Sequence, residues 1–153
     1  MAPDYGKFVR KGKSFIRDVA VELDAPDDET RAYRVFRSVL HTLRSKVSPQ
    51  ESIQLIAQLP MFIKAMYVDG WKWSSRNSKI RTMNDFIQAV GKENQKMGYR
   101  DFKGIEQVEL AVAAVMRVLA RHVSEGELND IASTLPTELK PLLSNDFTWH
   151  QDL

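Results

Sequence analysis

The stretch KVSPQESIQLIAQLP, Lys46 to Pro60, returns as HVSEGELNDIASTLP, His122 to Pro136. The offset is constant, 123 − 47 = 76 for the valines and 136 − 60 = 76 for the prolines, with no gap. In the first copy Ser48 is placed to cap a helix start, Pro49 suits the first helical position, and Glu51 completes a capping box. Ser124 and Glu127 repeat the Ser-x-x-Glu pattern, weakened by Gly126. Each helix runs to a Leu-Pro pair, Leu59-Pro60 and Leu135-Pro136, where proline disfavours the α conformation in the residue before it. A second short helix is expected after each break, over Met61 to Asp69 and Thr137 to Ser144.

Working outward, Tyr33, Phe36, Leu40, Leu43 and Val47 are spaced 3, 4, 3 and 4, an apolar stripe at helical period. The last four reappear 76 residues on as Val112, Met116, Leu119 and Val123. That second helix also carries Leu110, Ala111, Val115 and Val118, so it is apolar nearly all round and belongs at the centre of the core. Asp27 and Asp28 stand where a helix cap and favourable dipole charge belong. Each unit opens with a further helix, Phe15-Ile16-x-x-Val19 echoed by Phe86-Ile87-x-x-Val90, at an offset of 71. The five extra residues fall in the stretch from Lys96 to Gly104, with its two glycines. Trp71 and Trp73 match Phe147 and Trp149. No segment alternates like a strand. The expectation is an all-α tandem duplication of a four-helix unit, packed as one helical bundle with approximate twofold symmetry. Unit one spans about 8–71, a basic linker 72–81, and unit two about 82–147, within a single domain covering 1–153.

These residues carry a resemblance. Phe15-Ile16-x-x-Val19, the helix Arg31-Ala32-Tyr33-x-x-Phe36-x-x-Val39-Leu40, the Leu59-Pro60 break and the Asp69-Gly70-Trp71 ending resemble the bacterial family catalogued as domain of unknown function 2267, from about Phe8 to Phe147. The resemblance implies a small, soluble, helical bacterial protein. It brings no catalytic residue.

Cysteine is absent from the 153 residues, which removes disulfides, thiolate nucleophiles and Cys-based metal sites. The start, MAPDYGKFVRKGK, lacks the apolar core of a signal peptide. The longest uncharged apolar run, Leu110 to Met116, is far short of the ~20 residues of a membrane span. A soluble cytoplasmic protein is expected. Net charge is +2, but residues 1–81 carry 15 Lys+Arg against 9 Asp+Glu, and residues 82–153 carry 7 against 11, giving +6 and −4. That asymmetry fits either an anionic partner for the first half or attraction between the halves.

Gly6 to Ser14, GKFVRKGKS, imitates a phosphate-binding loop. It has five residues between its glycines where that loop needs four, and no strand precedes it. His41, His122 and His150 have no second ligand at helical spacing, and His122, which takes the slot of Lys46, is expected on the surface. The acids at Asp27-Asp28-Glu29 and at Glu125 and Glu127 sit at helix starts, where they stabilise the macrodipole. No cofactor, metal or catalytic constellation is expected.

Two basic features remain. Arg34, Arg37, His41 and Arg44 are spaced 3, 4 and 3 along one helix face, readable as a solvated face or as an anion-binding stripe. The linker Trp71-Lys72-Trp73, with Arg76 and Lys79, interleaves aromatics and cations in a way that could stack bases. The helix Met61 to Val68 has one charge and cannot serve as a recognition helix, so it belongs in the core or an interface. The reading is a non-enzymatic interaction module whose partner is another protein or a second copy. The alternatives are sequence-tolerant nucleic-acid binding through the basic residues, and an enzyme using Asp69.

Overall fold

A computed structural model describes residues 2–72 and 79–144 of the chain, all of it helix and connection. The elements are α1 (Tyr5–Glu22), α2 (Glu29–Arg44), α3 (Pro49–Ala57), α4 (Met61–Val68), α5 (Met83–Lys96), α6 (Ile105–His122), α7 (Glu125–Ser133) and a 3-10 helix, η1 (Thr137–Leu143). The stretch from Gly6 to Ser14 lies inside α1, so the glycine-spaced segment is helix rather than loop.

Local signals set these boundaries. The bounds of α3 and α7 coincide at the offset of 76, and in each the serine hydroxyl accepts the N–H three residues on, Glu51 at 3.3 Å and Glu127 at 3.2 Å. Asp28 caps α2 by accepting from Arg31 N–H at 3.0 Å. The two-sided capping box stands elsewhere, at α5, where Thr82 Oγ1 accepts from Asp85 N–H and the Asp85 carboxylate accepts from Thr82 N–H. Helices α1 and α5 both end in a Schellman turn. Ala25 N–H reaches Ala20 O, and Tyr99 N–H reaches Asn94 O, each at 3.0 Å. The left-handed position is Asp24 in the first and Gly98 in the second. The five extra residues divide between helix and loop. Adding 71 to Glu22 gives 93, but α5 runs to Lys96, three further; the connection then takes residues 97–104 instead of a six-residue 23–28, two more. The last element differs from α4: with Pro141 inside it, a residue that brings no N–H, the chain takes 3-10 geometry.

The core lies around α6, which buries Val108, Ala111, Val112, Ala113, Ala114, Val115, Met116, Val118 and Leu119, while Leu110 faces out. Helices α1, α2, α5 and η1 all pack on it. Phe15 of α1 is wholly buried, edge-on to Phe36 at 5.0 Å and stacked on His122 at 4.2 Å. His122 is exposed as expected, though Lys46, its counterpart in the repeat, is itself buried. Ion pairs between the halves run in both senses: Arg34 meets Asp101, while Arg117 and Arg121 meet Glu22. No described helix is long and apolar enough to cross a membrane.

Candidate functional site

The α2 stripe is not a solvated face. Its hydrophobic side anchors the helix so firmly that the adjoining row is carried inward, and each member meets an acceptor. Arg34 donates from Nε and Nη2 to the Asp101 carboxylate, the shortest contact being 2.7 Å. Asp101 also accepts from Asn94 Nδ2 at 2.9 Å, and Asn94 Nδ2 reaches Ser38 Oγ at 3.2 Å. Burial pushes the Asp101 carboxyl up, but the hydrogen bonds from Arg34 and Asn94, with the charges of Arg34 and Arg31, outweigh it and hold the group below the usual carboxylate range. This network ties α2 and α5 to the loop between α5 and α6.

The other three members of the row serve the end of α4. The last carbonyls of a helix have no partner within it and carry partial negative charge. His41 Nε2 lies 2.7 Å from Met66 O, and Arg44 Nη1 donates to Tyr67 O at 2.5 Å and Asp69 O at 2.8 Å. Arg37, buried, pairs with the exposed Asp69 carboxylate at 3.0 Å. Burial lowers His41 to about 4, so it is neutral at pH 7 and donates through Nε2–H. Tyr67 turns its ring under the same helix end, against Trp71 at 6.0 Å, and shares a 2.6 Å hydrogen bond with Ser52. Burial pushes the phenol up to about 12.

Outside this ring of contacts is a cleft of about 420 Å³, lined in part by Arg37, Arg44, Asp69, Lys72, Glu93 and Lys96. Of the remaining candidates from the linker, Trp71 is half-buried and Lys72 and Lys79 are exposed. Trp73 and Arg76 lie outside the described residues, as do Phe147, Trp149 and His150. Structure thus gathers Arg37, His41, Arg44, Trp71 and Lys72 about one helix end, and directs Arg34 elsewhere.

A second cluster was not expected. Glu51 and Glu127, equivalent at the offset of 76, meet where α3 packs on α7, and Asp130 joins them. One carboxylate oxygen from each lies within 4.8 Å of the others. Neither glutamate completes the predicted capping box. Ser124 N–H donates instead to Gln58 Oε1 at 2.8 Å, and Gln58 Nε2 returns a bond to Ser124 Oγ at 3.2 Å. Glu127 is 6% exposed, and Glu51 Oε2 and Glu127 Oε1 are buried without a hydrogen-bond partner. Burial, then the charges of Glu51 and Asp130, and, once a proton is bound, a hydrogen bond to Glu51, push Glu127 up to about 7. The reading of these acids as dipole-stabilising alone is therefore corrected: burial and a like charge both act on Glu127. The signal in the sequence that relates the pair is their common offset of 76.

Helical throughout its described residues, with a sequence repeat at 76 and a cation-capped α4, the chain has its class in an all-helical fold. Residues 12–142 match the family described as uncharacterized conserved protein (DUF2267), and the chain belongs to that family. No curated protein matches it.

Proposed function

We propose that the chain is a non-enzymatic interaction module made of two copies of one helical unit, related by a local twofold axis between α3 and α7. The equivalence of Glu51 and Glu127, adjacent in space and 76 apart in sequence, supports the axis. A contact of this self-complementary kind sets a residue beside its own counterpart. The observation that carries the interaction reading is an apolar surface on two touching helices. Tyr5, Phe8 and Val9 of α1 and Met61 and Phe62 of α4 are exposed, with Phe62 at 45%. Phe62 rests against Gly12 and lies 6.2 Å from the Tyr33 ring. Adjoining apolar groups of this kind mark contact surfaces more often than isolated ones do. The polar groups around α4, by contrast, are engaged with one another.

The test places a photo-crosslinking residue at Phe8 and, as control, at the exposed Lys92 of α5. Adducts from position 8 and none from position 92 are expected, with a second copy of the chain or another protein as the captured species. Adducts from neither position, or turnover in a broad activity screen that one surface substitution abolishes, would overturn the reading.

Nucleic-acid binding draws less support. The guanidiniums of Arg34, Arg37 and Arg44 are turned to protein acceptors, so a phosphate contact would fall to other cations, of which Lys96 lines the cleft. Its signature is affinity that falls linearly with salt on logarithmic axes.

A further inference from the structure

We propose that Glu51, Glu127 and Asp130 form a binding site for a divalent cation of the calcium type at the junction of α3 and α7. Three observations converge there. The three carboxylates bring one oxygen each within 4.8 Å of one another. Glu127 is 6% exposed, and its Oε1 and Glu51 Oε2 are buried with no hydrogen-bond partner. None of the three acids enters an ion pair among the described residues.

Buried carboxylate oxygens without partners are costly and call for neutralisation by a proton or a cation. The geometry favours a cation. A shared proton satisfies two carboxyls, but Asp130 adds a third, and it is exposed, leaving one side of the cluster open for entry. The donors are all hard oxygens, which select calcium, magnesium or manganese over the softer metals. Ligand number then discriminates. Calcium takes several carboxylates at once in a flexible geometry, whereas magnesium keeps much of its water and is held by one or two carboxylates. Water completes the coordination on the open side. Because Glu51 and Glu127 come from different units, the ion clips α3 to α7 beside the Gln58–Ser124 hydrogen bonds.

The experiment is isothermal titration of the full chain with Ca²⁺, and separately with Mg²⁺, at pH 7 in two buffers of different ionisation heat, alongside Glu127→Gln and Asp130→Asn. Thermal melts with and without the ion accompany each titration. One Ca²⁺ per chain is expected, bound at least ten-fold more tightly than Mg²⁺, with a raised melting temperature and protons released on binding. Both variants should lose at least ten-fold in affinity; Asp130→Asn alters only an exposed side chain, so its result stands even if Glu127→Gln fails to fold. No saturable Ca²⁺ binding at millimolar concentration, or equal binding by wild type and Asp130→Asn, overturns the proposal. In the first case, a Glu127→Gln protein more stable than wild type at pH 7 would identify the occupant as a proton. None of these outcomes bears on the α1–α4 surface.

Discussion

Arg34 and Asp101 stand 67 residues apart in the chain and join through two guanidinium nitrogens and one carboxylate. The pair fastens α2 to the loop after α5, with Asn94 closing the network from below. Breaking it from the buried side strands Arg34 and Asn94 together. Asp101→Ala is expected to cost about 2–4 kcal/mol, and Arg34→Ala less, about 1–2 kcal/mol, because its side chain is partly in water. The double variant should cost less than the sum of the two. Urea denaturation of the four proteins checks this, and strict additivity would refute the coupling.

His41 makes stability depend on pH. Unfolded, its imidazole takes up a proton near 6.5; folded, burial holds it to about 4, with Arg44 and Arg37 adding to the shift and the Met66 carbonyl and Asp69 opposing it. Between those values the unfolded chain binds more protons, so this contribution is fully present above pH 6.5 and is lost as pH falls toward 4. The loss is on the order of 3 kcal/mol at about 1.4 kcal/mol per unit. Glu127, raised to about 7, acts in the opposite sense over part of that range. The difference between wild type and His41→Gln therefore isolates the imidazole. Parallel denaturation midpoints for the two proteins from pH 7.5 to 4.5 would contradict the assignment.

Gly12 and Gly91 predict opposite outcomes for the same substitution. A Cβ at Gly12 would lie 2.5 Å from Phe62 Cβ, next to the α4 backbone, where little can yield. A Cβ at Gly91 would meet Val108 Cγ2 at 3.9 Å, an ordinary contact. Alanine gains about 1 kcal/mol over glycine in a helix interior, while forced overlap in a packed interface costs about 1–3 kcal/mol. Gly12→Ala should lower the melting temperature by several degrees, and Gly91→Ala should raise it. An unchanged or raised value for Gly12→Ala would show that α1 and α4 separate at little cost.

How far the sequence could be read depended on the range of each signal. The limits of α3 and α7 were legible because serine caps and Leu-Pro breaks act within a turn. The central place of α6 followed from a helix that is apolar nearly all round. The stripe of Arg34, Arg37, His41 and Arg44 was correctly placed on one face, but its acceptors are an aspartate in an irregular loop and the carbonyls of α4. Backbone carbonyls are the same in every residue, so nothing in the letters announces them. Glu51 and Glu127 were misassigned for a different reason. A capping rule offered each a partner three residues away, and the side chain of Gln58, 66 residues distant in the chain, took that role at Ser124.

The stacking of Phe15 on His122, and the ion pairs of Glu22 with Arg117 and Arg121, have a consequence for synthesis. The first helix leaves the ribosome long before the sixth exists. At about 5–20 residues per second, the interval from Phe15 to His122 lasts roughly 5–20 s. Throughout it the apolar flank of α1 that α6 will cover has no native partner. The nascent first half therefore carries that flank uncovered until α6 clears the exit tunnel, and only then can the core close.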